Sequence, residues 1–271
     1  MSKKQAVKTQ LHPRNKHREN YNFDKLIEVC PDLAMFIQPN KYQQASINFF
    51  DPQAVRMLNK ALLKLHYSID HWELPEKYLC PPIPGRADHL HYISDLLATD
   101  NGGKVPRGGK FRCVDIGTGA SCIYALLGNS LFGWSFIGSD IDPVSLEAAQ
   151  KIVDANPQLS HKITLRQQVD KRRFLEGILK KNNVVDLTVC NPPFHASATE
   201  ARAATQRTFK NLKHSKDGKL KSNYGGQRNE LWYKGGELAF LKAMIKESKE
   251  FATSCFWFSS LVSKEANLLE L

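Results

Sequence analysis

The chain has 271 residues and a formal net charge of +11, from 38 Lys and Arg against 27 Asp and Glu. Hydrophobic residues make up 42% of it, which excludes a disordered chain and allows a packed core. No apolar run approaches the roughly 18 residues that would argue for a membrane span. The longest, Phe251 to Val262, is interrupted by Thr253, Ser254, Ser259 and Ser260. The N-terminus is basic but has no apolar segment of the kind a secretory signal needs. A soluble, cytoplasmic monomer with no membrane partner is therefore expected. Cys30, Cys80, Cys113, Cys122, Cys190 and Cys255 form no C-x-x-C pair and sit beside no histidine at zinc-finger spacing. They read as small buried hydrophobes in a reducing compartment, and no metal is expected.

In chain order, residues 1–20 read as a flexible basic arm and residues 21–105 as an N-terminal extension on the substrate side. Phe23–Ile37 suits a short helix pair broken by Pro31. Asp51 is a good N-cap and Pro52 suits the first helical position, opening a helix with Val55, Leu58, Leu62 and Leu65 on one stripe. The cluster Pro75, Pro81, Pro82, Pro84 followed by Gly85 reads as a linker or substrate-side loop. A helix is expected over 86–98 and a Gly-rich turn over 101–110. From 106 to 271 strands and helices alternate. Strands are expected at Phe111–Ile116, Trp134–Ser139, Ile163–Arg166, Val184–Cys190 and Cys255–Val262. The expected helices are Ser121–Phe132, Pro143–Asn156, Arg172–Lys181 and Glu237–Glu250. Such alternation implies an α/β fold with a doubly wound, mostly parallel sheet, whose ligands bind beyond the carboxyl ends of the strands.

Three stretches lie at those ends. In VDIGTGAS, Gly117 and Gly119 allow a tight turn and close approach of backbone to ligand. The position of a third dinucleotide-motif glycine holds Cys122, which weakens the case for NAD. Asp140, twenty-three residues beyond Gly117, can accept hydrogen bonds from both ribose hydroxyls; the alternative is a helix cap, a role open equally to Asp142. Asn191-Pro192-Pro193-Phe194 ends a buried strand. The two prolines hold the chain rigid. Asn191 can offer its side-chain carbonyl, and Pro192 its backbone carbonyl, to an exocyclic amine, and Phe194 can stack on a base, worth about 1–3 kcal/mol.

Charge is clustered. Lys3, Lys4, Lys8, Arg14, Lys16 and Arg18 crowd the first twenty residues. Arg202, Arg207, Lys210, Lys213, Lys216, Lys219, Lys221 and Arg228 form a second run opposed only by Asp217. Two such runs flanking a catalytic domain point to a polyanionic partner, most simply nucleic acid.

The pairing of D-x-G-x-G with N-P-P-F resembles the class I amino-methyltransferases. HPRN at His12–Asn15, SINFFDPQAVR at Ser46–Arg56, DIGTGASCIY at Asp115–Tyr124, CNPPF at Cys190–Phe194 and GGELAFLK at Gly235–Lys242 narrow it. Over nearly its whole length the chain is similar to the 23S rRNA adenine-N6-methyltransferase family and its eukaryotic methyltransferase-like relatives. That resemblance implies a class I Rossmann-like domain, S-adenosylmethionine as methyl donor (leaving S-adenosylhomocysteine), and a single adenine of 23S rRNA, free or in a large-subunit assembly intermediate, as acceptor. It implies cofactor contacts at Arg86, Asp115, Gly117, Gly119, Ser121, Asp140, Lys171 and Asn191, though the residue type at Lys171 departs from the pattern. Asn191, Pro192, Pro193 and Phe194 would form the catalytic loop. Lys8, Arg14, Lys16, Arg18, Arg202, Arg207, Lys210 and Lys213 would grip RNA, with loop 195–234 mobile until RNA orders it. The family continues past its fifth strand into a terminal strand pair that this chain lacks, so an incomplete sheet edge is expected.

Two other acceptors stay open on these residues: a protein glutamine, whose amide the same loop could hold, and a DNA adenine. A non-catalytic RNA-binding factor that retains the fold is the alternative from another class.

Overall fold

The computed structural model describes residues 8–180, 183–201, 203 and 226–271. Five parallel strands form the central sheet in the order β5-β4-β3-β6-β7. They are β3 (Arg112–Ile116), β4 (Ser135–Asp140), β5 (Ile163–Gln167), β6 (Val185–Cys190) and β7 (Cys255–Phe258). The chain lays down β3, β4 and β5 outwards in one direction, then returns to place β6 and β7 on the other side of β3. The reversal therefore falls at β3, between β4 and β6. Ile116 pairs with Ser139 on one side and Cys190 on the other, so Gly117, Asp140 and Asn191 leave the sheet in one row. That row is where an open α/β sheet presents its ligand crevice.

The core lies on both faces of the sheet. Cys113 of β3 faces a large cluster with α2 (Pro52–Tyr67), α3 (Ile83–Thr99), α4 (Ile123–Phe132) and α5 (Pro143–Asp154). Val114 and Ile116 face a smaller one with Phe174, Ile178, Leu241 and Met244, the last two from the helix Gly236–Ser248. At Gly128 a Cβ would stand 2.4 Å from the Phe136 ring, so α4 lies against β4 only because glycine is there. Among the described residues β7 forms one outer edge of the sheet and exposes Phe256.

Helix α2 starts as expected, with the Asp51 carboxylate accepting the Gln53 N–H. Its buried stripe runs through Ala54, Leu58, Ala61 and Leu62, while Val55 and Leu65 pack against the edge of the core. Around it the extension contributes α1 (Phe23–Val29), a 3-10 turn at Pro31–Phe36 and a small antiparallel pair, β1 (Ile37–Pro39) and β2 (Ala45–Ile47).

Three expectations are corrected. Pro84 and Gly85 belong to the first turn of α3, where a helix has no intrahelical use for the N–H that proline lacks. The 172–181 stretch is no helix among its described residues. The buried Glu247 carboxylate accepts the N–H groups of Phe174, Leu175 and Glu176 at 2.8, 2.9 and 2.8 Å, and Gly177 turns the chain at φ +80°. Those tertiary bonds replace the helical ones. Finally, the basic arm is docked from residue 8 onwards, with His12, Asn15 and His17 buried. Asn15 donates to the Pro84 carbonyl and to Asp88, both at 3.0 Å, and His17 meets the Tyr67 hydroxyl at 2.8 Å. Residues 1–7 lie outside the described residues.

Candidate active site

A cavity of about 790 Å³ opens over the row Gly117, Asp140, Asn191. Its floor is the turn after β3. The N–H groups of Gly117 and Thr118 both donate to the Ser139 carbonyl at 2.9 Å, which ties the turn to the end of β4. Gly117 and Gly119 hold φ of +73° and +62°, a left-handed backbone that resists a side chain. Cys122 also lies there at φ +52°, so the position of the missing third glycine keeps glycine-like geometry with a cysteine in it.

Asp140 accepts the Gly119 N–H on Oδ2 and the Asp142 N–H on Oδ1, both at 2.9 Å. The cap of α5 is Asp142, whose Oδ1 accepts the Val144 N–H at 3.0 Å and whose Oδ2 receives the Tyr78 hydroxyl at 2.8 Å. Asp140 is thus free of the capping role and walls the cavity. Burial raises its pKa from the usual aspartate value.

Asp115 stands beneath the turn, 1% exposed, and receives the Thr118 hydroxyl at 2.7 Å on Oδ2. Its Oδ1 has no partner among the described residues. Burial pushes its pKa up to about 7, and the charge of Asp140 adds to the rise. It supports the floor of the cavity and is not one of its walls.

Of the residues singled out from sequence, Arg86, Gly117, Gly119, Ser121, Asp140, Lys171, Asn191 and Pro193 wall the cavity. The buried Oδ1 of Asn191 is likewise without a partner. Pro192 is buried behind the wall and the half-buried Phe194 flanks it; neither lines it. Arg86, buried in the first turn of α3, holds its guanidinium 5.8 Å from the Tyr124 ring centre. The Ser121 carbonyl receives the Trp72 indole N–H at 3.1 Å, which joins the N-terminal extension to the turn.

Sequence reasoning missed a second wall. Leu79, Gln168, Arg173, Glu230, Tyr233 and Phe240 all line the cavity. Phe240 packs edge-on against Phe174 and Tyr233, with ring centres 4.8 and 5.2 Å away. The available signal was the stretch NELWYKGGE, polar and aromatic, set between glycine pairs.

The basic residues divide. Arg202, Arg207, Lys210 and Lys213 lie outside the described residues, as does most of loop 195–234. The four in the arm make contacts within the protein. Arg14 reaches Asp95, Ser94 and the His91 carbonyl, and Lys16 reaches the His66 carbonyl. Lys8 donates to the His17 carbonyl at 3.3 Å and the Arg18 carbonyl accepts the Lys8 N–H at 2.7 Å, while the buried Arg18 Nε has no partner among the described residues. Their first role is to dock the arm; half-exposed side chains such as Arg14 still add positive charge to that surface.

The site combines a glycine turn for close backbone approach, a carboxylate on the cavity wall, a buried guanidinium and an amide oxygen without a partner among the described residues. It suits a nucleoside ligand that carries charges of both signs.

Comparison with known proteins agrees. A family model described as RNA methyltransferase matches residues 5–271. The ribosomal RNA large subunit methyltransferase F of Cytophaga hutchinsonii is 52% identical over 263 residues, which is 97% of this chain and 82% of that protein. Its counterpart from Bacteroides fragilis is 50% identical over 273 residues, 98% of this chain and 90% of that protein. Among solved structures, the human Mettl16 catalytic domain in complex with a MAT2A 3'UTR hairpin superposes with a TM-score of 0.80 at 31% identity, covering 96% of this chain and 84% of that one. The N-terminal domain of human METTL16 in complex with SAH gives 0.73 at 29%, covering 96% and 86%. The cavity, the parallel sheet with its row of three strand ends, and these matches lead to one conclusion: the chain belongs to the RNA methyltransferase family.

Proposed function

We propose that the protein transfers a methyl group from S-adenosylmethionine to the N6 nitrogen of one adenine in 23S ribosomal RNA, free or within a large-subunit assembly intermediate. The observation that carries this is Asn191: a buried amide oxygen with no partner among the described residues, followed by two prolines at the wall of the cavity, beside the Gly117 turn and Asp140. A buried acceptor left open costs about 1–3 kcal/mol and is retained where a ligand satisfies it. The ribosomal substrate rests on the relatives named for it, and an RNA acceptor in general also on the hairpin-bound structure of the human protein.

The residues fit the cofactor. Gly117 and Gly119 let its methionine part approach the backbone, Arg86 offers a cation to its carboxylate, and Asp140 accepts from its ribose hydroxyls. When bound, S-adenosylmethionine supplies an electrophilic methyl group. The protein's own part is positioning. Asn191 Oδ1 would accept one hydrogen of the amine and the Pro192 carbonyl, which lies behind the cavity wall in the ligand-free fold, the other once the loop closes on the base, drawing the lone pair out of conjugation with the ring. The adenine must leave its stack, at a cost of a few kcal/mol. Held in line, the nitrogen needs no dedicated base, since its proton departs after the nitrogen has become cationic. Orientation supplies most of the acceleration.

The test is transfer of labelled methyl to total RNA from cells lacking the enzyme, with wild type beside Asn191→Ala. Label at one large-subunit adenine, reduced about 10²–10³-fold in the variant, is expected by analogy with removing one preorganised polar group from an active site. Label on a protein instead of RNA would overturn the reading in favour of a glutamine acceptor.

A further inference from the structure

Residues 226–233 form a strap between the two ends of the site. At one end the Gly226 N–H donates to the Lys77 carbonyl at 2.8 Å. At the other, the His195 N–H donates to the Leu231 carbonyl at 3.2 Å and the Tyr233 N–H to the His195 carbonyl at 3.0 Å, one residue past the N-P-P-F loop. Between them Glu230, in the short helix Arg228–Leu231, turns its side chain to the cavity wall. Its two oxygens have different surroundings. Oε2 accepts the Leu79 N–H at 3.1 Å and the Gln227 N–H at 2.6 Å. Oε1 stands 3.6 Å from where a Cβ on Gly119 would be, directly over the glycine turn. Tyr78, next to Leu79, donates to Asp142, so the loop that Glu230 holds is also fixed to the cap of α5.

We propose that Glu230 is a positioning residue of the methyl transfer: Oε2 latches the strap to the 77–79 loop, while Oε1 contacts the ribose side of the cofactor beside Asp140. Cofactor binding and seating of the strap are then one event, and the strap carries that event to the loop that holds the target amine. This rests on the cofactor reading of the cavity given above. Burial supports it from another side, since a carboxylate raised to about 7 is costly to keep there without a partner for its second oxygen. Neither Leu79 nor Gln227 requires a carboxylate as such. A neutral amide oxygen would accept both N–H groups, so the latch alone does not explain the charge.

Glutamine therefore separates the two roles. Glu230→Gln keeps one oxygen for Leu79 and Gln227 but presents an NH₂ to the cavity; Glu230→Ala removes both. The full chain is titrated with S-adenosylhomocysteine by calorimetry, and amide hydrogen exchange of residues 77–79 and 226–234 is followed with and without it. Wild type is expected to bind, and binding to slow exchange in both segments. Glu230→Gln is expected to keep the ligand-free melting temperature and strap protection of wild type but bind about tenfold more weakly. Glu230→Ala is expected to lose affinity and to leave 226–234 unprotected even at saturation. Binding by the glutamine variant within twofold of wild type would overturn the cofactor contact. Wild-type protection of the strap in the alanine variant would overturn the latch. Failure of wild type itself to bind would remove the cofactor reading, and this inference with it.

Discussion

Asp115 offers the sharpest test of how the site's charges are held. It is buried under the glycine turn with one oxygen unpartnered among the described residues, and its pKa is raised from 3.8 to about 7, chiefly by burial. For an acid whose folded value is raised, the native state holds more protons than the unfolded state between those two values. The contribution of Asp115 to stability is therefore greatest below about pH 4, falls by about 1.4 kcal/mol per pH unit through the window, and levels off above about pH 7. Three units at that slope amount to about 4 kcal/mol lost at pH 8. Asp115→Asn keeps the shape and the acceptor for Thr118 but cannot ionise. Urea denaturation of the ligand-free protein at pH 4 and pH 8 should find the variant, at the lower pH, between equal to wild type and about 2 kcal/mol less stable, the cost of an unsatisfied amide hydrogen. At the higher pH the variant should be more stable by roughly 2–4 kcal/mol, the lower figure allowing for an unsatisfied amide hydrogen. A pH-independent difference between them would refute the argument, because the charge would then have a partner. The same variant should bind S-adenosylhomocysteine at least fivefold more weakly, the usual trade between stability and a functional site.

Glu247→Gln replaces an acceptor of three backbone N–H groups with a side chain that must turn a donor towards one of them. A loss of about 2–3 kcal/mol is expected, seen as a melting temperature lower by roughly 5–10 °C. An unchanged melt would mean that the 174–176 turn is held by packing. Asn15→Ala removes two bonds from the side-chain amide and the one accepted from the His17 N–H at 3.0 Å. Trypsin should then cut within residues 8–20 at temperatures where the sheet domain stays folded; cleavage no faster than in wild type would show the docking to rest on the histidines. Raising salt from roughly 50 to 200 mM should weaken RNA binding by orders of magnitude and cofactor binding less than about twofold. Equal salt sensitivity would contradict the division of charge described below.

What was legible in the sequence is what local chemistry writes there. Alternating apolar runs gave the five strands to within a residue or two, except β7, whose expected end at Val262 overshoots Phe258 because Ser259 onwards bonds to β6 by side chain and single N–H groups. The glycine turn, the acidic end of β4 and the prolines after β6 were readable because each imposes a conformation on its own residues. The parts that stayed hidden are set by partners far along the chain. His12 reaches Asp95 and Asn15 reaches Asp88, each more than seventy residues away, so nothing within the first twenty residues distinguishes a docked arm from a free one. The helix expected at 172–181 lost to Glu247, an acceptor supplied by the helix Gly236–Ser248 more than seventy residues along the chain and packed on the same face of the sheet. Glu230 escaped for the same reason: its neighbours Leu79 and Gly119 belong to two other segments.

Charge acts at two ranges in this molecule, and they serve different ligands. The net charge of +11 is a property of the whole surface and falls off within a screening length, so it suits the capture of a long anion but gives no address on it. Inside the cavity both signs are present, with Arg86, Lys171 and Arg173 on the wall together with Asp140, Asp142 and Glu230. A wall of one sign would favour any anion, the RNA backbone included. The carboxylates disfavour phosphate at the glycine turn, whose Gly117, Thr118 and Gly119 N–H groups already donate to the Ser139 carbonyl and to Asp140. Asp140 and Glu230, whose pKa values burial raises, thus favour a ligand with hydroxyl donors and its own positive charge, leaving the polyanion to the surface outside.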